Sequence, residues 1–105
     1  HFYEFSIHKF ASNVIEKCIR GASDTERYKI FAEIIGDENN YETDRILGMI
    51  SDQFGNYVIQ RIIEFGSKEQ QNAIYNVVYN NYDILSKISY AKHVIIRLIN
   101  LGYEF

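Results

Sequence analysis

The sequence predicts an all-α solenoid, a row of short helices built from one repeated unit. Three observations predict it. The 105-residue chain has no proline and is rich in helix formers. A gapless internal match recurs at a spacing typical of stacked helical repeats. Two Ser-x-x-Glu/Gln capping boxes lie as far apart as the matches they follow. A chain of this length is one small domain, and its 47% hydrophobic and 24% charged content is that of a globular chain.

The central element of each unit comes first. "KFASNVIEKCI" (Lys9 to Ile19) aligns on "QFGNYVIQRII" (Gln53 to Ile63), and "SYAKHVIIRLI" (Ser89 to Ile99) is a weaker third copy. An aromatic opens each (Phe10, Phe54, Tyr90), and a small residue follows (Ala11, Gly55, Ala91). Val14, Val58 and Val94 correspond, as do Lys17, Arg61 and Arg97. Ser12 to Asn56 is 44 residues and Asn56 to Lys92 is 36. Helical spacing puts Val14, Ile15, Cys18 and Ile19 in one apolar stripe, repeated by Val58, Ile59, Ile62 and Ile63. Both stripes are expected in the core, with the thiol of Cys18 packing as a small hydrophobe. Phe54 and Tyr90 are expected there too.

The flanking elements follow the same period. The boxes "SDTE" (Ser23 to Glu26) and "SKEQ" (Ser67 to Gln70) start amphipathic helices over "RYKIFAEII" and "QNAIYNVVY". "DRILGMI" and "DILSKIS" read as short apolar helices before the second and third copies. Each unit is thus a short, a central and a longer helix. "HFYEFSI" reads as the tail of a first helix whose start is missing. A solenoid edge without a cap exposes core, so Phe2, Phe5 and Phe10 are expected partly bare there. The weak third copy, in which Ile96 replaces the polar fifth position, fits a capping half-repeat.

Net charge is −3. Alone, that disfavours nucleic acid as a partner, because phosphate binding calls for a basic face. The charge is segregated, however. Residues 8–20 sum to +2 (3 − 1), residues 87–97 to +3, and residues 24–44 to −5 (2 − 7). One cysteine and no signal-like start favour a reducing, cytoplasmic setting. No run of about 18 apolar residues argues for a membrane role. No metal cluster, nucleophile–base pair or phosphate-cradling glycine loop is evident, so neither an enzyme, a small-molecule substrate nor a cofactor is expected.

Opposite the apolar stripe, Ser12 and Glu16 lie one turn apart with Asn13 beside them. Asn56, Gln60 and Tyr57 take the same places in the second unit. Stacked units are expected to present these triplets in a row on one concave surface. Two side chains one turn apart with a flat group adjacent can grip the edge and face of one RNA base. Glu16 offers two acceptors and no donor, matching guanine N1–H and N2–H, and Ser12 adds a hydrogen bond. Gln60 offers one acceptor and one donor, matching uracil N3–H and O4, while Asn56 reaches O2. Tyr57 supplies a stacking ring, and Asn13 a flat but poorer platform.

"HKFASNVIEKCI" and "DQFGNYVIQRII" resemble the seventh and eighth repeats of the Pumilio (PUF) family of RNA-binding proteins, and "SYAKHVIIRL" resembles its C-terminal cap. The resemblance implies a right-handed α-solenoid of three-helix repeats. Residues 1–40 would be a partial repeat reading guanine, 41–81 a full repeat reading uracil, and 82–105 a capping half-repeat. It further implies an antiparallel RNA read as a 5′-UG-3′ step, of the kind that opens UGUA-type elements in messenger-RNA 3′ untranslated regions. The implied role is post-transcriptional regulation.

Alternatives stand beside these expectations. Lys17, Arg61 and Arg97 either touch phosphate, or are solvated surface charge or pair with Glu or Asp along their helices, and His93 is a further candidate for a phosphate or flanking contact. The eight extra residues between the first two units fall near "GDENNYETD", residues 36–44. That segment is either a flexible acidic loop or, as the resemblance implies, a loop presenting Tyr41 to co-regulator proteins. At the level of the whole chain, the competing readings are an armadillo- or HEAT-like protein scaffold and a repeat protein binding structured or ribosomal RNA without a base code.

Overall fold

The structure, a computed structural model, describes the backbone of residues 9–37 and 40–105, with side chains from residue 15 on within those bounds. The expected bare edge at Phe2, Phe5 and Phe10, and the side chains of Ser12, Asn13 and Val14, lie outside the described residues. The described residues form seven helices: α1 Lys9–Gly21, α2 Asp24–Ile35, α3 Thr43–Ile50, α4 Gly55–Phe65, α5 Lys68–Asn80, α6 Tyr82–Leu85 and α7 Ser89–Asn100. The fold is an all-α helical repeat. The apolar runs before the second and third copies become α3 and the single turn α6.

Both capping boxes close as their sequences predict. The Ser23 hydroxyl accepts from Glu26 N–H at 3.2 Å, and Ser23 N–H donates to the Glu26 carboxylate at 3.0 Å. Ser67 and Gln70 repeat the pair at 3.2 and 3.0 Å. Such a cap contributes about 1 kcal/mol by satisfying N–H groups that a helix start leaves open. Gln70 also donates to the Tyr28 carbonyl at 3.3 Å, which ties the second unit to α2.

The core runs along the inner faces of these helices. Ile15 and Ile19 of α1, Phe31, Ile34 and Ile35 of α2, and Ile46, Met49 and Ile50 of α3 are buried. Val58, Ile59, Ile62 and Ile63 of α4 are buried as the stripe predicts, and Ile74, Val78, Val94 and Leu98 continue the core. Each such side chain contributes about 1.5–3 kcal/mol on leaving water. The small residue after the leading aromatic has a steric reason. A Cβ on Gly55 would lie 3.0 Å from both Cα and O of Met49, so α4 starts hard against α3. Ala91 is likewise fully buried at the start of α7.

Three expectations need correction. Cys18 is exposed, although its counterpart Ile62 is fully buried. α4 has α3 packed against it, and among the described residues no helix takes that place beside α1. Tyr90 is exposed on α7 and Phe54 is only half-buried, so neither leading aromatic is a sealed core residue. The segment after α2 is not a structureless loop throughout. Gly36–Asp37 and Asn40–Tyr41 form a small antiparallel hairpin, with Gly36 opposite Tyr41 and Asp37 opposite Asn40. Gly36 has φ of 88°, and a Cβ there would lie 2.4 Å from Asn40 O, so the position calls for glycine on two counts.

After α7 the chain turns at Gly102 (φ 99°) and lays Tyr103 and Phe105 back over α5. The Tyr75 ring stacks on Tyr103 at 4.6 Å, and its hydroxyl donates to the Glu104 carbonyl at 2.6 Å. The Tyr103 hydroxyl reaches Asn72 at 2.6 Å.

Candidate nucleic-acid interface

The three central helices pack side by side, with α4 between α1 and α7. Their polar faces meet in a line of charges. Glu16 of α1 lies 3.2 Å from Arg20 and 3.7 Å from Arg61 of α4. Arg61 pairs with Glu64 one turn along α4, and Glu64 lies 3.7 Å from Arg97 of α7. Both carboxylates on this face are thus held by arginine, so the negative net charge of the chain is not concentrated here. Lys17, Lys92 and His93 are exposed. Among the described residues no group of His, Cys, Asp and Glu could hold a metal ion, and no helix is long and apolar enough to cross a membrane.

The α4 triplet divides into one outward and two inward side chains. Tyr57 is 55% exposed, as a stacking platform needs. Asn56 and Gln60 are only 1% and 6% exposed, unlike the solvent-facing amides the sequence predicts. Their position explains this: they border the apolar stripe and are flanked by the neighbouring helices. A buried amide has to be hydrogen-bonded, and these are. Asn56 Nδ2 donates to the carbonyls of Asp52 (2.8 Å) and Gln53 (3.1 Å). Gln60 Nε2 donates to Asn56 Oδ1 at 2.9 Å, and Gln60 Oε1 accepts from Arg97 Nε at 3.2 Å. Gln60 still retains one N–H and one lone pair for a ligand, whereas Asn56 has both N–H groups committed.

In the first triplet, Glu16 is half-buried on the line of charges, while Ser12 and Asn13 lie in α1 with side chains outside the described residues. Arg61 and Arg97 pair with acids and amides of their own and neighbouring helices. The Arg61–Glu64 pair runs along one helix, whereas Gln60 and Glu64, which Arg97 meets, sit on the neighbouring α4. His93 lies on α7 at the place matching Tyr57. Tyr41 is half-buried at the end of the hairpin, packed against the core with its hydroxyl shielded from solvent. Sequence reasoning had no sign of Glu64 as the acid between two arginines, although its i+3 spacing from Arg61 marks a helix pair.

A family model described as the Pumilio-family RNA binding repeat matches residues 1–35 and 45–78. The chain belongs to the Pumilio family. It is 35% identical over 89 residues to the mRNA-binding protein PUF3 of Saccharomyces cerevisiae, covering 80% of this chain and 10% of that protein. It is 32% identical over 95 residues to Pumilio homolog 12 of Arabidopsis thaliana, covering 90% of this chain and 15% of that one. With Pumilio homolog 1 of Xenopus laevis it shares 38% identity over 74 residues, covering 70% of this chain and 6% of the relative. The chain therefore spans roughly a tenth of the length of these curated relatives.

Proposed function

We propose that this Pumilio-family chain is a single-stranded RNA-binding module that reads a 5′-UG-3′ step of a UGUA-type element in messenger-RNA 3′ untranslated regions. It acts in cytoplasmic post-transcriptional regulation and has no catalysis of its own. One observation carries the reading. Two polar triplets in equivalent register, Ser12/Asn13/Glu16 and Asn56/Tyr57/Gln60, belong to the packed neighbours α1 and α4 of a Pumilio-repeat chain. Residues 1–40 hold the guanine unit, 41–81 the uracil unit and 82–105 the half-repeat beyond them. Glu16 takes the guanine N1–H and N2–H groups, with Ser12 beside it and Asn13 against the ring. Gln60 meets uracil N3–H and O4 with its unused acceptor and donor, and Tyr57 stacks on the base. Asn56 reaches O2 only by releasing a backbone carbonyl. Its standing role is to hold Gln60.

Lys17, Arg61 and His93 make the phosphate or flanking contacts. The segment 36–44 is where a co-regulator protein makes contact. Tyr41→Ala should weaken co-regulator capture in pull-downs, and an unchanged capture removes that assignment.

A swap tests the base reading. Ser12→Asn with Glu16→Gln, made in the full-length protein, should shift preference from guanine to uracil at one RNA position only. Binding is measured against four RNAs that differ at that position. A protein scaffold shows no base dependence. A phosphate binder loses affinity with salt equally for all four.

A further inference from the structure

We propose that Arg97 is a positioning residue for the uracil reader Gln60, setting the order of donor and acceptor on its amide. It thereby sets the choice of uracil over cytosine. The inference rests on the base reading above and concerns what keeps that reading selective.

A glutamine amide is nearly symmetric in shape and opposite in chemistry at its two ends. Turned by half a revolution about its last torsion, it presents N–H where oxygen was. Uracil shows an N3–H donor beside the O4 acceptor, and cytosine shows an N3 acceptor beside the N4–H donor. The two orientations of Gln60 therefore match different pyrimidines. Unrestrained, the side chain serves either base by turning over.

The structure restrains it from both ends. Asn56 Nδ2 faces two carbonyl oxygens, of Asp52 and Gln53, which can only accept. Its oxygen must therefore face Gln60, which answers with Nε2 at 2.9 Å. At the other end Oε1 of Gln60 receives Nε of Arg97, a group that can only donate, at 3.2 Å. A reversed amide would set oxygen against oxygen at Asn56 and N–H against N–H at Arg97. Glu64, 3.7 Å from Arg97 Nη1, holds the guanidinium from its other side.

The arrangement recurs one unit earlier. Arg61 occupies the place of Arg97 in the repeat, and its Nε lies 3.7 Å from Oε1 of Glu16, the counterpart of Gln60. In both cases the residue after the fifth variable position reaches back to the fifth position of the preceding unit. A carboxylate has two equivalent oxygens and nothing to reverse, so Arg61 can hold Glu16 without setting an order. The pair is a built-in control.

The experiment compares Arg97→Met and Arg61→Met with wild type in the full-length protein. Methionine keeps most of the packed stem and removes the donor. Affinity is measured by fluorescence anisotropy for RNAs carrying U, C, A or G at the position read by Gln60, and for a second set varied at the guanine position. Arg97→Met should lower the preference for U over C about tenfold, the scale of one charged hydrogen bond, and leave selection at the guanine position unchanged. Arg61→Met should weaken binding without altering base order at either position. Equal weakening of all four RNAs by Arg97→Met, with a shallower salt dependence, makes Arg97 a phosphate contact and overturns the inference. So does an unchanged U-to-C ratio. Arg97→Gln, whose amide can face Gln60 with either end, should also lower the ratio if Arg97→Met folds poorly; a ratio kept by Arg97→Gln overturns the inference. A wild-type protein with no preference at that position removes the base reading itself, which is a distinct failure.

Discussion

The unit of α1 and α2 and the unit of α4 and α5 make equivalent contacts with different chemistry. At the start of the longer helix, Glu26 bonds Ser23 and Gln70 bonds the equivalent Ser67 at the same distances. One position on, Arg27 Nε donates to the Ile19 carbonyl at 2.7 Å, and Gln71 Nε2 donates to the equivalent Ile63 carbonyl at 2.8 Å. At the fifth variable position Glu16 and Gln60 are each approached by the arginine of the next unit. Three charged residues in the first unit are three glutamines in the second. Glu26 is exposed and Gln70 is 1% exposed, and Gln60 is the more enclosed member of its pair as well. Covering a position makes an ion costly and an amide cheap, provided that the amide's bonds are kept. At Arg27 and Gln71 both side chains are half-buried, and the arginine has a further use. Its guanidinium sits 4.5 Å from the centre of the Phe65 ring, at the end of α4.

The comparison can be broken most forcefully in the core. Ile62→Ala should cost about 2–5 kcal/mol in denaturant unfolding, while Cys18→Ala at the same place in the first unit should stay within about 0.5 kcal/mol. Equal losses would mean that Cys18 is covered in solution. A smaller contrast lies at the caps. Gln70→Ala removes the side-chain half of the box and the bond to the Tyr28 carbonyl, and should cost about 2 kcal/mol. Glu26→Ala should cost clearly less in the same unfolding assay, because its carboxylate is surrounded by water.

The smallest effect concerns pH. Hydrogen bonds from the Ser23 backbone and hydroxyl, helped by Lys29, hold the Glu26 carboxyl below its ordinary value. A carboxyl depressed in the folded state adds stability above its unfolded pKa, and that stability is lost as pH falls through the folded one. Acid titration of stability should therefore be slightly shallower in Glu26→Gln than in wild type. The neutral box at Gln70 already lacks this dependence.

What could be read from the sequence was local or periodic. The repeat, both capping boxes and the α4 stripe each depend on a few residues at fixed spacing, and the structure has them. The inward turn of Asn56 and Gln60 depends on α1 and α7 closing over their flanks, and no spacing within α4 records that. Cys18 and Ile62 hold the same place in the repeat, and only their neighbours separate them. The fold-back of Tyr103 and Phe105 onto Tyr75 joins residues far apart in sequence through rings with no period. The hairpin after α2 turns on one glycine whose positive φ has no sequence signal beyond the residue type. For the candidate site, the residue types at the variable positions were legible, and the arginines that lean back onto them were not.

Two of the side-chain bonds between units, Gln70 to the Tyr28 carbonyl and Arg97 to Gln60, bear on how such arrays can be recombined. A splice after α5 parts Gln60 from the group that steadies it, and a splice after α2 strips Gln70 of its acceptor. Grafting this repeat into a foreign array therefore means carrying α2 of its predecessor and α7 of its successor along with it, so the transferable module overlaps both neighbours.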